Sequence, residues 1–453
     1  MKKAPKFAAL VVASALALAG TTAVSAAHAA SCSTNTPVSM LGTIKVEIQD
    51  QFLAAVKAYN ASQNCYTVTS IPGDKALTFL QNVTPMYAAK HAPTIMYTLQ
   101  EIPDMADKVM DWNSTPEGKK LAGLVSPGLL QAGNVGGKQV GIPSTAEAFG
   151  LLYNKAVLDK AHVDPAKIKT RGDLEAAFKA VKASLSKVKG SGAIRFSAIW
   201  WSLGAHFTNE YFTNAANTHE GRLAVLDAMA NGTKTLANDP VWNNYIATYN
   251  LMNKYNQAKP NLTDNEYTLA AADLAAGKTG FWFMGNWAEP TLLTDNPKGS
   301  FGIMPVPMGA KAGTYGNDSI SVGVPGYFMV DNVQSTPAQR AGAIDFLTWL
   351  YTSNAGQHFV VDPAPAGMNF IPVYKGTTVK PSTFMAGKIA SYVNAGKTLE
   401  WMNTYFPAGG QNLYGASSQK YMTGKATAAK YAAELQAAWK GATKTWRGEK
   451  VTN

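Results

Sequence analysis

From Val38 onward the chain alternates short apolar or β-branched runs with stretches of helical periodicity, and this alternation limits the fold more than any other feature. Ile44, Ile48, Phe52, Val56 and Tyr59 recur at helical spacing, and Tyr66–Ile71 then reads as a strand. A helix is predicted over residues 74–90 and a second short strand over 93–97. Strand–helix–strand order implies an α/β domain with a largely parallel sheet. After a strand at 149–153, helices are predicted at Arg171–Ser184, 220–229, 241–255 and 265–276, with Gly277 placed as a C-cap. Residues 279–284 and 301–304 return to strand, 320–330 reads as one longer strand, and helices at 337–351 and 426–445 follow. At roughly 100–200 residues per domain, 453 residues make two or three domains. Two α/β lobes that exchange chain segments fit this order better than two beads on a linker.

The first thirty residues stand apart. Lys2, Lys3 and Lys6 precede an apolar run from Phe7 to Ala19, and Ala27-His28-Ala29 supplies the small side chains of a cleavage site. The run is too short for a membrane span, so residues 1–30 read as a signal peptide and the mature protein as exported. In an oxidising compartment the only two cysteines, Cys32 and Cys65, make a disulfide the economical reading. The competing reading is lipidation of Cys32 after cleavage at Ser31, although Cys32 lies well beyond the apolar run. A metal site from two cysteines alone has almost no support.

Composition removes other classes. With 10% aromatic and 15% charged residues the chain is not disordered in general. Three of its 40 basic residues lie in the leader, which leaves 37 against 29 acidic ones, spread along the chain. No basic run with interleaved aromatics forms a nucleic-acid surface. There is no HExxH, no GxSxG elbow and no CxxC, and the histidines lie far apart, so neither a metal nor a cofactor is expected. Gly277-Lys278-Thr279 resembles the end of a phosphate loop, but Ala272 stands at its upstream glycine and a strand follows.

Four stretches, in order over nearly the whole mature chain, resemble the extracellular solute-binding proteins of ABC importers. They are Ala88-Ala-Lys-His-Ala-Pro-Thr-Ile-Met-Tyr97, Gly141-Ile-Pro-Ser-Thr-Ala-Glu-Ala-Phe-Gly-Leu-Leu-Tyr-Asn-Lys155, Ala275-Ala-Gly-Lys-Thr-Gly-Phe-Trp-Phe-Met-Gly-Asn-Trp287, and Phe301-Gly-Ile-Met-Pro-Val-Pro307 through Trp349. The likeness is to the carbohydrate-binding, maltose-binding-protein-like group (solute-binding family 1). It implies a two-lobed, periplasmic-binding-protein-like α/β fold with segment-swapped lobes, a hinge and an interlobe cleft. On that resemblance, residues 31–145 plus 321–374 form the N-terminal lobe, and 146–320 plus 375–453 the C-terminal lobe. Hinges would fall at 144–148, at 319–321 and after Val373.

The same resemblance supplies candidate sugar contacts. Trp287 falls at the family's stacking tryptophan, with core packing as the bland alternative. Asn286 beside it could bond a hydroxyl or cap a helix. Glu147 occupies the acidic position on the first crossover, and Glu101 an acidic position at the mouth of a strand. Thr98 and Ile102 depart from an aromatic and a basic residue in the family, which points away from maltose itself. One of Trp200 and Trp201, placed after a strand at 194–199, would offer an aromatic platform. Tyr414 and Asn412, in a glycine-rich loop, would add a further contact. The chemistry suits a sugar: one pyranose face packs on an indole, and its hydroxyl rim needs paired polar groups.

The expected function is hinge-closure capture of a mono- or oligosaccharide by a monomer and its delivery to the transmembrane permease subunits of an ABC transporter, without catalysis. The alternatives are the same fold carrying a phosphorylated solute such as glycerol phosphate, a secreted glycoside-active enzyme, or a lectin-like adhesin. Scarce arginine counts against the first of these.

Overall fold

The computed structural model describes residues 32–41, 48–74, 77–99, 101–257, 266–407 and 409–447. The expected leader, Ser31 and Ile44 lie outside them. Among the described residues, thirteen strands form two main sheets and one small ribbon. In chain order they are β1 (Thr36–Leu41), β2 (Tyr66–Ile71), β3 (Ile95–Thr98), β4 (Asn134–Val135), β5 (Lys138–Gln139), β6 (Ile142–Pro143), β7 (Glu147–Asn154), β8 (Gly192–Arg195), β9 (Thr279–Gly285), β10 (Phe301–Met304), β11 (Ile320–Gly323), β12 (Tyr327–Val330) and β13 (Thr398–Glu400). β4 and β5 pair as the ribbon.

The first sheet runs β2-β1-β3-β12-β6. Its first three strands are parallel, because the helices Gln49–Ser62 and Phe79–Ala88 carry the chain back between them. β12 enters antiparallel to both β3 and β6. The helix Pro337–Thr352, opened by a Thr336–Gln339 capping box, covers this sheet and buries Phe346, Leu347 and Leu350 against Val38, Phe52 and Tyr59. A disulfide between Cys32 and Cys65 ties the start of β1 to the start of β2, beside a Thr36 N–H to Cys65 carbonyl bond of 2.8 Å.

The second sheet runs β13-β11-β7-β9-β8, with β10 also paired to β7. All eight residues of β7 are buried, which is why Ala-Phe-Gly-Leu-Leu-Tyr reads as a continuous apolar run rather than an alternating one. The second-lobe core is larger and strongly aromatic, gathering Phe149, Phe178, Phe196, Phe207, Tyr245, Tyr249, Trp282 and Trp439.

Among the described residues, three segments cross between the sheets. The first is residues 144–146, from β6 to β7, and the second is 324–326, from β11 to β12. The third passes through Ile371, where Ala146 N–H and Thr145 Oγ1–H both donate to the Ile371 carbonyl, at 3.1 and 2.9 Å. It continues to Tyr374, whose phenol donates to the Pro143 carbonyl at 2.6 Å.

The expected single strand over 320–330 is corrected to two strands in different sheets, and the change of sheet lies past the expected 319–321. Pro325 has no N–H for a ladder. Gly326 is required because a Cβ there would lie 2.2 Å from the Tyr97 ring. The C-terminal helix is also shorter than the predicted 426–445, spanning Ala428–Trp439. Gly441 at φ +77° takes the left-handed turn that ends it.

Candidate functional site

Glu147, Asn286 and Trp287 converge beside the crossing segments. They line one cavity of about 10 Å³, room for at most about one water molecule, together with Ile48, Pro290, Met368, Asn369 and Phe370. Glu147 opens β7, where it stands opposite Gly323 of β11, and is 1% exposed. Burial first, and the Glu147 charge as well, push the Tyr97 phenol upward, although its bond to Ser144 Oγ at 3.2 Å opposes the shift. Tyr97 on β3 therefore keeps its proton beside this carboxylate.

The turn that follows β9 positions the other two. Asn286 Oδ1 accepts from the Ala148 N–H at 2.8 Å, which pins the turn to β7. Asn286 is thus not a helix N-cap; that position belongs to Gly285. Gly285 is needed for a steric reason, since a Cβ there would lie 2.0 Å from the Trp287 ring. Trp287 folds back over it, 8% exposed, with one side against other rings.

Those rings form a cluster that sequence reading did not single out. His206 lies 4.7 Å from both Phe149 and Trp287, 5.6 Å from Trp201 and 5.8 Å from Trp401. It sits in a π-helical stretch, Ser202–Phe207, a geometry found often at functional sites. Only the Trp200-Trp201 pair just upstream hinted at an aromatic platform. His206 and Trp401 come from elements that no short motif connects.

The remaining candidates do not line that cavity. Trp200 and Trp201 are helical, and the strand before them ends at Arg195 rather than at the expected 199. Trp200 is 40% exposed, whereas Trp201 is half-buried against Tyr267 and Trp287 at 6.1 and 6.3 Å. Tyr414 is corrected from contact to core: it lies in the helix Gly410–Met422, fully buried, stacked on Trp439 and edge-on to Phe406. Asn412 is exposed on the same helix, which replaces the expected loop. Glu101 precedes the short helix Ile102–Met105, accepts from Thr98 Oγ1, and does not line the cavity.

A larger cavity of about 820 Å³ also lies between the lobes. It is lined by Gln131 and the β4–β5 ribbon on one side and by His219, Tyr405 and Trp446 on the other. Gln131 Nε2 and His219 Nε2 bridge the lobes at 2.7 Å, and Glu400 holds both His219 and Arg222, at 2.9 and 2.7 Å. None of the residues expected to touch sugar lines this space.

Among the described residues no group of three or more His, Cys, Asp or Glu is arranged to hold a metal. Among the same residues no helix is long and apolar enough to cross a membrane.

No curated protein matches the sequence. The cyclic α-maltosyl-1,6-maltose binding protein of Arthrobacter globiformis superposes with a TM-score of 0.63 at 19% identity, over 90% of this chain and 100% of that one. The solute-binding protein RafE in complex with raffinose gives 0.71 at 15%, over 89% and 98%. A Bacillus licheniformis sugar transporter protein with stachyose gives 0.67 at 16%, over 89% and 98%. At such identities these likenesses establish the two-lobed fold. The bacterial extracellular solute-binding protein family matches residues 48–357, well over half of the chain, and the protein belongs to that family.

Proposed function

We propose that this protein is an exported receptor that captures a neutral mono- or oligosaccharide between its lobes and hands it to the permease of an ABC importer. The observation that carries the reading is the convergence of an indole, a buried carboxylate and two carboxamides, those of Asn286 and Asn369, on one cavity between the crossing segments. An indole face takes the C–H face of a pyranose, Glu147 accepts hydroxyl protons, and Asn286 Nδ2 remains to donate. No lysine or arginine is among the lining residues, so a phosphorylated solute would find no cationic side chain lining the cavity. Glu147 is the only carboxylate among them, whereas glycoside hydrolysis uses a pair. A cavity this small admits no sugar as it stands, so ligand entry requires the lobes to part. Closure then removes water from both sides of the ligand.

The ligands named for the related structures, raffinose, stachyose and a cyclic maltose tetrasaccharide, support a sugar as cargo. Isothermal titration against a sugar panel, with product analysis of the same samples, tests the reading. Trp287→Ala is expected to weaken binding by about 1–3 kcal/mol, the scale of a buried aromatic contact. Turnover of the sugar, or unchanged affinity in the folded variant, would overturn it. Small-angle scattering with and without ligand checks closure, which a rigid lectin-like adhesin would not show.

A further inference from the structure

The third crossing segment brings Asn369 into the cavity of Glu147 and Trp287. Its φ is +55°, in the left-handed region that a non-glycine residue seldom occupies and that is over-represented at ligand sites. The backbone around it is firmly held. Met368, Asn369 and Phe370 donate to the carbonyls of Phe359, Asp362 and Val360, at 2.8, 2.9 and 2.8 Å.

The side chain is oriented just as firmly. Asn369 Nδ2 donates to Glu289 Oε2 at 3.0 Å, and Thr383 Oγ1 donates to the same oxygen at 2.9 Å. Glu289 is 2% exposed and follows two residues after Trp287, at the start of the helix Glu289–Asp295. Met368 and Phe370 belong to the first-lobe core, and Ala288 and Leu292 to the second. The Asn369–Glu289 bond therefore crosses from lobe to lobe at the edge of the cavity. Asn369 Oδ1 has no donor among the described residues. Asn286 is its complement, with Oδ1 taken by the Ala148 N–H and Nδ2 left over.

Resting on the reading that this cavity is the sugar site, we propose that Asn369 is a ligand-contacting residue that accepts a sugar hydroxyl proton, and that Glu289 is the positioning residue that aims it when the lobes close. Asn286 and Asn369 then supply a donor and an acceptor, a pair suited to uncharged neighbouring hydroxyls. Because the Asn369–Glu289 bond spans the lobes, Glu289 aims Asn369 only while the lobes lie close. A bound sugar must widen the cavity of about 10 Å³ while keeping that bond, so that ligand binding favours a closed form.

The test measures affinity for raffinose, stachyose and maltotriose in wild type and in W287A, N369G, E289Q, E289A and the E289A/N369G double variant. Glycine accepts the left-handed backbone without strain, so N369G removes only the side chain. N369G is expected to weaken the best-binding probe roughly 3- to 20-fold, the scale of one hydrogen bond. E289Q keeps an acceptor for Asn369 and retains wild-type affinity, while E289A loses about as much as N369G. The double variant loses no more than N369G alone, a non-additivity that a general structural defect would not give. If W287A weakens binding and N369G does not, the inference falls and the site reading stands. If E289A and N369G losses add, the positioning role of Glu289 is wrong. If no probe binds wild type, or W287A binds as wild type does, the site reading and the inference fall together. Should N369G not fold, the contrast between E289Q and E289A carries the same test.

Discussion

Glu210 is a carboxyl buried where, among the described residues, no cation acts on it. It lies in the helix Thr208–Asn214, is 2% exposed, and accepts from Ser321 Oγ at 3.0 Å and, at a long 3.5 Å, from Asn214 Nδ2. Desolvation outweighs both bonds and pushes the group from 4.5 up to about 8. In the folded protein at pH 7 Glu210 therefore holds its proton. The gap between 4.5 and about 8, at 1.36 kcal/mol per pH unit, corresponds to about 5 kcal/mol. The sign follows from the raised folded value. The stabilising contribution is complete below pH 4.5 and is lost as pH rises toward 8, because unfolding in that window releases a proton. Glu210→Gln keeps the shape and removes the titration. Urea unfolding of both proteins across that window, followed by tryptophan fluorescence, is expected to show the variant gaining on wild type by up to about 1.4 kcal/mol per pH unit. Parallel stability curves, with a gap constant to within about 1 kcal/mol, would refute the burial argument.

Two further outcomes follow from the structure. Replacing Cys32 and Cys65 together by serine opens a loop of 33 positions and is expected to cost about 2–4 kcal/mol, read as a lower urea midpoint. An unchanged midpoint would mean the bond is idle. Trp200→Ala removes a side chain that is 40% exposed, so stability is expected to move by no more than about 0.5 kcal/mol. Any loss of sugar affinity in that variant then reports a contact at the cleft rim, and loss of the fold would contradict the exposed placement.

The regular elements were legible where one local rule decided them. Arg171–Ser184 shows its apolar spacing openly and forms over the predicted residues, with Thr170 as its cap. β7 was recognisable because a strand buried on both faces must be apolar throughout. The failures share a cause, namely distant chain deciding local form. Trp200 and Trp201 were expected just past a strand at 194–199, yet that stretch winds into a helix packed on another helix. Gly204 there lies so close to the Gln411 carbonyl that a Cβ would meet it at 2.0 Å. Tyr414 looked like a loop residue because nothing near it in sequence announces Trp439 and Phe406, which enclose it. Within the candidate site, Trp287 and Glu147 were readable only through the family's spacing. Asn369 and His206 were not readable at all, since Asn369 depends on Glu289, 80 residues away, and His206 on rings from three other elements.

The place of β12 in the first sheet bears on events before the protein is folded. It stands between β3 and β6, yet lies far downstream of both. A growing chain thus carries an open seam through its first sheet until Val330 has been made, and such late, long-range closure is slow. On the proposed export of this protein, such delay would be useful: the half-made lobe would not lock before crossing the membrane. The interleaving of the two sheets would thus keep the newborn chain threadable.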